Sequence, residues 1–212
     1  MNKFLTNISR LGFIAWLVFE FLNYIGVLHF TIDFSWLGLV LTAGFVWVVL
    51  EIVSWRLKKV SGKPLPWIAF LLSLLSVSFD AFGDTHHFYS RFDWYDQVAH
   101  VIGGAMAALV AFVVFWRLVE AGRIMLGKKL TGFVALCISA FLGVLYELEE
   151  YLEDVFTGSQ RAGNSVDTSN DLLWNTVGAL VIVVITVLLT SHASHSEDPE
   201  RSEGDEESSR HQ

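Results

Sequence analysis

Long apolar blocks alternate with short polar connections along the chain. Apolar residues dominate at about 11–30, 36–55, 66–82, 96–119, 131–152 and 171–190. A helix needs roughly 20 mostly apolar residues to cross the hydrocarbon core of a bilayer. We therefore predict an all-α integral membrane protein, with a bundle of about six transmembrane helices in residues 1–190. The third block is the shortest, and Asp80 lies close to its end.

Composition supports the same fold class. Of the 212 residues, 53% are hydrophobic, and the eight Trp and 17 Phe suit lipid-facing surfaces and the aromatic belts at membrane interfaces. The first block contains Glu20 and Asn23 and is not followed by a small-x-small cleavage site, so it does not resemble a cleavable signal peptide. The single cysteine, Cys137, excludes a disulfide within the chain, and we expect it to pack as a small apolar residue.

The formal net charge of −8 is unevenly distributed. Residues 191–212 hold seven acidic residues against two arginines and contribute −5 of that charge. A segment with so much charge and so few apolar residues buries too little surface to fold alone. We therefore predict a disordered, acidic, cytoplasmic tail at 191–212. The chain has no basic cluster of the kind that would predict binding to nucleic acid.

Basic residues mark alternate connections. Most of them lie before the first block or in the second and fourth connections: Lys3, Arg10, Arg56, Lys58, Lys59, Lys63, Arg117, Arg123, Lys128 and Lys129. The first connection has none, and the third and fifth have only Arg91 and Arg161. Lysine and arginine are enriched on the cytoplasmic side of a membrane. We predict a plasma or inner membrane protein with both termini in the cytoplasm and the odd-numbered connections outside.

Asp96 and His100 lie one helical turn apart at the start of the fourth block, on one face. Asp96 would bind a metal ion, or would orient the imidazole while the second ring nitrogen binds an ion or moves a proton. Gly103 and Gly104 follow, and such small residues let another helix approach closely. Alternatively, Asp96 caps the helix and His100 is an interfacial polar residue.

Carboxylates accumulate where the fifth block ends. Glu147, Glu150 and Asp154 are three and four residues apart and share one helix face. As a functional set they would bind a divalent cation or act as general acid and base. As a structural set they would form a helix end that enters water, which suits Asp154 better than the deeper Glu147.

The start of the last block shows a third such face, formed by Asp167, Asp171 and Asn175 at intervals of four. Thr168 and Asp171 also fit a capping box, with Asp in place of the usual Glu. Capping does not explain Asn175, which lies one turn into the span.

A weaker set, Asp84, His86 and His87, is predicted to lie on the loop of the third connection. Adjacent histidines point in different directions, so at most one of them would be a ligand of a given site.

Two other acidic residues lie singly inside apolar blocks. Glu20 would reach the same polar cluster or a partner on another helix. Glu51 lies toward the basic inward face, where pairing with Arg56 or Lys58 is the simpler interpretation.

Three helices thus bring carboxylates to one side of the membrane, and one adds a histidine. Such mixed ligands suit Zn, Mn or non-haem Fe. We therefore predict a divalent metal site. The metal-binding candidates are Asp96, His100, Glu147, Glu150, Asp167 and Asp171. Three of them, His100, Glu147 and Glu150, are also the catalytic candidates. No Walker loop, GxSxG elbow, dinucleotide fingerprint or HExxH motif is present.

Three functions fit this arrangement. The first is a metal-dependent membrane enzyme that acts on a lipid-linked or envelope substrate. The second is an ion- or proton-coupled transporter, although the inward halves of the last three blocks are almost purely apolar. The third is a non-catalytic membrane protein in which the polar cluster is structural.

The polar motifs resemble those of a known family. The segments that carry the resemblance are Tyr146-Glu-Leu-Glu-Glu-Tyr151, Asp167 to Ala179, and Asp96-Gln-Val-Ala-His100 with Gly103 and Gly104. The chain resembles the YjdF-like family of multi-pass membrane proteins of unknown function from Tyr95 to Ala179. It is similar, more loosely, to VanZ-like membrane proteins, which are linked to glycopeptide resistance. The resemblance implies that the six metal-binding candidates belong together, and it implies no particular activity.

Overall fold

The protein is a bundle of long helices in this computed structural model, which describes residues 2–195. Six helices in that range are long and apolar enough to cross a membrane, and the four-residue α4 lies between two of them. The described helices are α1 (Asn2–Tyr24), α2 (Trp36–Ser61), α3 (Trp67–Thr85), α4 (Phe88–Arg91), α5 (Tyr95–Glu120), α6 (Lys128–Thr157) and α7 (Ser165–His195). The all-α fold and the six predicted spans are confirmed. The predicted tail falls largely on residues 196–212, which lie outside the described range.

The last helix begins before its apolar block. α7 starts at Ser165, where the Asn164 side-chain oxygen accepts a hydrogen bond from the Val166 N–H at 2.9 Å. The capping box expected at Thr168 is therefore wrong, because Thr168 lies inside α7 and its hydroxyl donates to the Ala162 carbonyl oxygen. Hydropathy detects the lipid-facing part of a helix, whereas backbone hydrogen bonding continues into its polar end.

Helices α5 and α7 make the closest contact in the bundle. A Cβ atom at Gly104 would lie 2.1 Å from the Asn175 carbonyl oxygen, and one at Gly178 would lie 2.0 Å from that of Val101. Only glycine at both positions permits this approach, because any side chain would force the two backbones apart. The predicted close approach at Gly104 is confirmed, and it brings the polar faces of α5 and α7 together.

Two apolar clusters hold the bundle together, and α5 packs against both helix groups. Phe13, Leu50 and Phe70 lie in the cluster between α1, α2 and α3, and each is at most 3% exposed. Phe112 and Ala179 lie in the cluster between α5, α6 and α7. Many large apolar side chains elsewhere face outward, as expected of surfaces solvated by lipid.

The sequence predicted that Glu51 pairs with Arg56 or Lys58, and this prediction is wrong. Its two carboxylate oxygens accept hydrogen bonds from the Arg10 guanidinium of α1, at 2.5 and 2.7 Å. The packing of α1 on α2 supplies this nearer partner, and Arg56 instead lies over the Trp55 ring. A planar guanidinium matches a carboxylate at two points, which favours this pairing.

Candidate functional site

His100 is the centre of a buried polar cluster between α5, α6 and α7. Its side chain is 7% exposed, and its Nε2 atom lies 3.4 Å from Asp96 Oδ1 and 3.5 Å from Asp171 Oδ1. One ligand atom from each of these three residues lies within 4.8 Å of the other two. Asp96 comes from the preceding turn of α5, and Asp171 comes from α7 across the glycine contact. The structure thus joins two of the helix faces that the sequence singled out.

The opposite edge of the imidazole meets two further polar side chains. Asn175 Nδ2 lies 3.1 Å from His100 Nδ1, and Glu147 Oε1 lies 4.0 Å from the same atom. Glu147 is 6% exposed, and neither of its carboxylate oxygens has a hydrogen-bond partner among the described residues. A buried carboxylate without donors is costly. Its placement beside His100 therefore needs an explanation other than stability.

Glu150 and Asp167 lie elsewhere around this centre. Glu150 is turned toward Arg161, which donates to Glu150 Oε1 at 2.8 Å through Nε. Asp167 lies one turn before Asp171 on α7 and lines the same cavity as His100. Of the six residues predicted to bind metal, the structure brings three within the span of one ion.

Arg161 forms a second polar centre, which the sequence interpretation did not include in the site. Its side chain is 4% exposed, and its Nη2 atom lies 2.5 Å from the Tyr146 hydroxyl and 3.6 Å from Asp80 Oδ2. Burial alone would lower the pKa of Arg161, but Tyr146, Asp80 and Glu150 outweigh it and raise the pKa well above its ordinary value. Arg161 is therefore a permanent cation shared by neighbouring acidic and phenolic groups.

The fifth connection folds inward because Asp154 holds it. Asp154 Oδ1 accepts the Arg161 N–H at 2.8 Å, and Oδ2 accepts the Ala162 N–H at 3.0 Å. The Ser159 hydroxyl adds a third bond at 2.5 Å. Asp154 therefore shapes the loop that delivers Arg161, which is a structural role.

Asp80 and Tyr89 complete the surroundings of Arg161. The Tyr89 hydroxyl donates to Asp80 Oδ1 at 2.6 Å. Burial and the Asp80 charge raise the pKa of Tyr89 well above its ordinary value, so the phenol remains a donor at physiological pH. The only sequence signal for this centre was a single arginine in an outward connection, and nothing in the spacing linked it to Asp80.

Asp84 and His87 serve a different part of the molecule. Asp84 was predicted to lie on a loop, but α3 continues to Thr85 and Asp84 is fully buried in its last turn. Its Oδ1 atom accepts the backbone N–H groups of Asp33 and Phe34, at 2.7 and 2.9 Å. His87 Nδ1 lies 2.8 Å from Asp33 Oδ1. These contacts hold the first connection against the end of α3.

His86 and Glu20 also have surroundings of their own. The His86 ring stays near its own helix end, with Nδ1 3.1 Å from the Phe82 carbonyl oxygen. Glu20 is completely buried in α1, and its carboxylate oxygens have no hydrogen-bond partner within the described range. None of the contacts described for either residue joins it to His100.

A cavity of about 1080 Å³ begins at the polar cluster and runs between α2, α3, α5, α6 and α7. Its polar end contains both centres described above: Asp80, Asp93, Asp96, His100, Glu149, Glu150, Arg161, Asp167 and Asp171. The rest is mainly apolar, with Leu41, Phe45, Val49, Val110, Val114 and Leu142 in its wall. A site with this shape can hold a molecule that is polar at one end and apolar at the other.

Glu147 faces a second, smaller space on the other side of α6. That cavity measures about 400 Å³ and is also lined by Tyr151, Asn164 and Thr168. Glu147 does not line the large cavity. It therefore reaches the main site only through His100.

Comparisons with known proteins identify relatives of the chain. The sequence model of a family described as predicted membrane protein (DUF2238) matches residues 10–192. The chain is also 31% identical over 98 residues to the inner membrane protein YjdF of Escherichia coli (strain K12). That match covers 42% of this chain and 44% of the relative, so the chain spans less than half of the curated relative. No solved structure matches the chain.

Proposed function

The chain belongs to the DUF2238 family of predicted membrane proteins, which agrees with its resemblance to YjdF-like proteins, and on that premise we propose that it is a metal-dependent membrane enzyme. Asp96, His100 and Asp171 would hold one divalent ion, with Zn, Mn or Fe as the candidates. The substrate would be lipid-linked. The observation that carries the proposal is the convergence of His100 Nε2 and two carboxylates inside a membrane bundle.

The separations of the three ligands support an ion between them. Zinc binds nitrogen and oxygen ligands at about 2.0–2.2 Å, so neighbouring ligand atoms in a tetrahedral site lie roughly 3.4 Å apart. The Nε2 atom of His100 lies 3.4 Å from Asp96 Oδ1 and 3.5 Å from Asp171 Oδ1. Three protein ligands leave a further position for water or substrate, as in catalytic metal sites.

Glu147 is placed to orient His100 for metal binding. A protonated His100 would carry a proton on each ring nitrogen, so without an ion it would face Asp96 and Asp171 through Nε2 and Glu147 through Nδ1. If Nε2 binds a metal, Nδ1 keeps its proton and requires an acceptor. Glu147 Oε1, 4.0 Å from Nδ1, would fill that role after a small side-chain rotation. We therefore assign Glu147 as a residue that positions His100.

The general base would be Glu150. Of the two glutamates predicted for that role, Glu150 lines the large cavity and Glu147 does not. Arg161 fixes its orientation through Oε1. A divalent ion in the neighbouring site would supply Lewis-acid stabilisation of negative charge on the substrate.

The large cavity supports a substrate with a long apolar part. Its polar end holds the candidate catalytic groups, and its apolar walls continue into the membrane-spanning region. The charge pattern of the connections supports a polar end that faces away from the cytoplasm. The E. coli relative is named an inner membrane protein. We therefore propose that the reaction takes place at the outer rim of the cell membrane.

A transporter is less well supported. An ion path needs polar groups across the whole membrane. The cavity wall becomes mainly apolar beyond the candidate site, with Val110, Val114 and Phe115 on α5. A one-sided polar site is better suited to chemistry at the membrane surface than to passage through the membrane.

Metal analysis of the detergent-purified protein tests the proposal. We expect about one Zn, Mn or Fe per chain, and a higher unfolding temperature when the same ion is returned to chelator-treated protein. His100→Ala should lose the metal and this stabilisation. His86→Ala is the matched control, because the contacts described for His86 join it to the end of α3 and to Phe88 of α4, and none joins it to His100.

The opposite results would end the metal assignment. Wild-type protein without metal, and without stabilisation by any of the three ions, would contradict it. Equal metal content in wild type and His100→Ala would place the ion elsewhere.

A further inference from the structure

We propose that the large cavity binds a long-chain amphiphile with a positively charged amine head group. Its chain would lie along α5 in the apolar part of the cavity, and its amine would lie among the carboxylates of the polar end. This inference rests on the proposed function because it names the substrate class for the same site. Binding of the amphiphile is nevertheless measurable without the metal.

The apolar part of the cavity is long enough for a lipid chain. Beyond His100, cavity-lining residues on α5 extend from Gly103 to Phe115. At about 1.5 Å per residue, that stretch measures roughly 18 Å. One leaflet of a bilayer provides only about 15 Å of hydrocarbon, half of the total thickness. A chain drawn from the outer leaflet would therefore fit along α5 with its head group at His100.

The cavity also reaches the lipid-facing surface. Leu41 and Phe45 of α2 line it and are 47% and 62% exposed, and Leu145 of α6 lines it and is 42% exposed. At the polar end, the Ser35 hydroxyl donates to Glu153 and ties the start of α2 to α6. The side opening between α2 and α6 thus lies at the depth of the hydrocarbon core. A chain would enter sideways from the membrane.

Charge at the polar end determines which head group fits. Seven carboxylates line the cavity there, against one arginine and one histidine: Asp80, Asp93, Asp96, Glu149, Glu150, Asp167 and Asp171. Arg161 is already engaged by its own acidic neighbours. A divalent ion at His100 would leave most of this negative charge in place. A phosphate or carboxylate head group would be repelled, and a cation would be attracted.

Unpaired acceptors point the same way. Both oxygens of Glu149, which lies outside the proposed metal set, are buried without a hydrogen-bond partner in the described chain. An ammonium group brings a positive charge and three donors, which is what these oxygens lack. An anionic head group would add only acceptors to a site that already has too many.

Two spin-labelled probes with the same chain test the inference: nitroxide-labelled stearylamine and nitroxide-labelled stearic acid. The protein is placed in nanodiscs of zwitterionic lipid, and the immobilised fraction of each probe is measured by electron spin resonance. We expect stearylamine to be immobilised at least several-fold more than stearic acid. Excess unlabelled stearylamine should release it.

Cavity-filling variants locate the binding. Ala107 lines the cavity, so Ala107→Phe should abolish the immobilised fraction. Ala15→Phe is the matched control, because Ala15 is exposed on α1 and does not line the cavity. If Ala107→Phe does not accumulate, Val49→Trp is used instead, because Val49 lines the cavity at its exposed edge. The control for Val49→Trp is Val48→Trp, because Val48 is exposed and does not line the cavity.

A charge variant tests the head-group preference. Asp93→Asn combined with Glu149→Gln removes two carboxylates that lie outside the predicted metal set. We expect the preference for stearylamine over stearic acid to fall by about threefold to tenfold, since two of the seven carboxylates are removed and the other five remain. Metal content should not change in this variant.

Three results would overturn the inference: equal binding of both probes, preference for stearic acid, or binding that Ala107→Phe does not reduce. Failure here is distinguishable from failure of the metal site. Protein that binds metal but not stearylamine contradicts only the substrate class. Protein that binds stearylamine but no metal keeps the amphiphile site and contradicts the metal-dependent enzyme.

Discussion

Gly104 of α5 lies against the backbone of Asn175 on α7, so closely that a Cβ atom would be 2.1 Å from the Asn175 carbonyl oxygen. Asn175 also contacts His100 Nδ1 through its side chain. One helix contact therefore sets the distance between the two candidate ligands on α5, Asp96 and His100, and the candidate ligand on α7, Asp171. The geometry of the candidate site therefore depends on the absence of a Cβ atom at Gly104.

Gly104→Ala should destabilise the protein and loosen the site. The added methyl group meets backbone atoms that cannot rotate away, and overpacking of this kind typically costs about 1–3 kcal/mol. Thermal unfolding in detergent and metal affinity should both fall. Gly103→Ala is the control, because a Cβ there would meet its nearest atom, Asn175 Oδ1, only at 4.0 Å. Equal stability of the two variants would show that α5 and α7 are not in backbone contact.

The sequence predicted the helices more completely than the site, for a physical reason. Burial in lipid requires long apolar blocks, and these are visible in the chain without any partner. The glycines beside His100 also signalled a close helix contact. A carboxylate on one helix does not show which cation will face it, so the partner predicted for Glu51 was wrong. The observed partner, Arg10, lies on α1, and helical spacing within α2 carries no information about which residue of α1 packs against Glu51.

The centre around Arg161 was hidden for the same reason. Its Asp80, Glu150 and Tyr146 neighbours come from two helices, and Arg161 itself comes from a connection. Helical spacing relates residues of one helix and carries no information about a loop that folds inward. Asp96, His100 and Asp171 could be grouped from the sequence because each lies on a regular helix face.

Glu147→Gln should weaken metal binding and raise stability. Loss of the carboxylate that faces His100 Nδ1 should reduce metal affinity about 10- to 100-fold, as for other residues that orient a metal-binding histidine. The unfolding temperature of the metal-free protein should rise, because a neutral amide replaces a buried charge that has no donor in that state. Metal competition assays and thermal unfolding measure the two effects.

Glu149→Gln is the matched control for this substitution. The carboxylate oxygens of the half-buried Glu149 also lack donors, but none of the contacts described joins Glu149 to His100, so its variant should gain stability and keep its metal affinity. A loss of stability in Glu147→Gln would instead favour a structural network around His100.

Arg161→Ala should be severely destabilising. The substitution leaves the buried Glu150 and the half-buried Asp80 without their cation, and breaking a buried pair such as Arg161–Glu150 costs about 3–5 kcal/mol. Adding Glu150→Gln to Arg161→Ala should recover part of the loss, because it removes one uncompensated charge. The amount of folded protein and its unfolding temperature are the measurements. Arg91→Ala, at an exposed position, should behave as wild type.

The orientation of the bundle is open to a direct test. We expect Ser90 in α4 to face the outside and Lys63 in the second connection to face the cytoplasm, because basic residues cluster around the latter. Each is replaced by cysteine in a Cys137→Ala background and treated with a membrane-impermeant maleimide in intact cells. Ser90→Cys should be labelled at once, and Lys63→Cys only after permeabilisation. The reverse pattern would turn the polar end of the cavity toward the cytoplasm. The proposed metal site would be unaffected by that result, but the proposed substrate would then have to come from the inner leaflet.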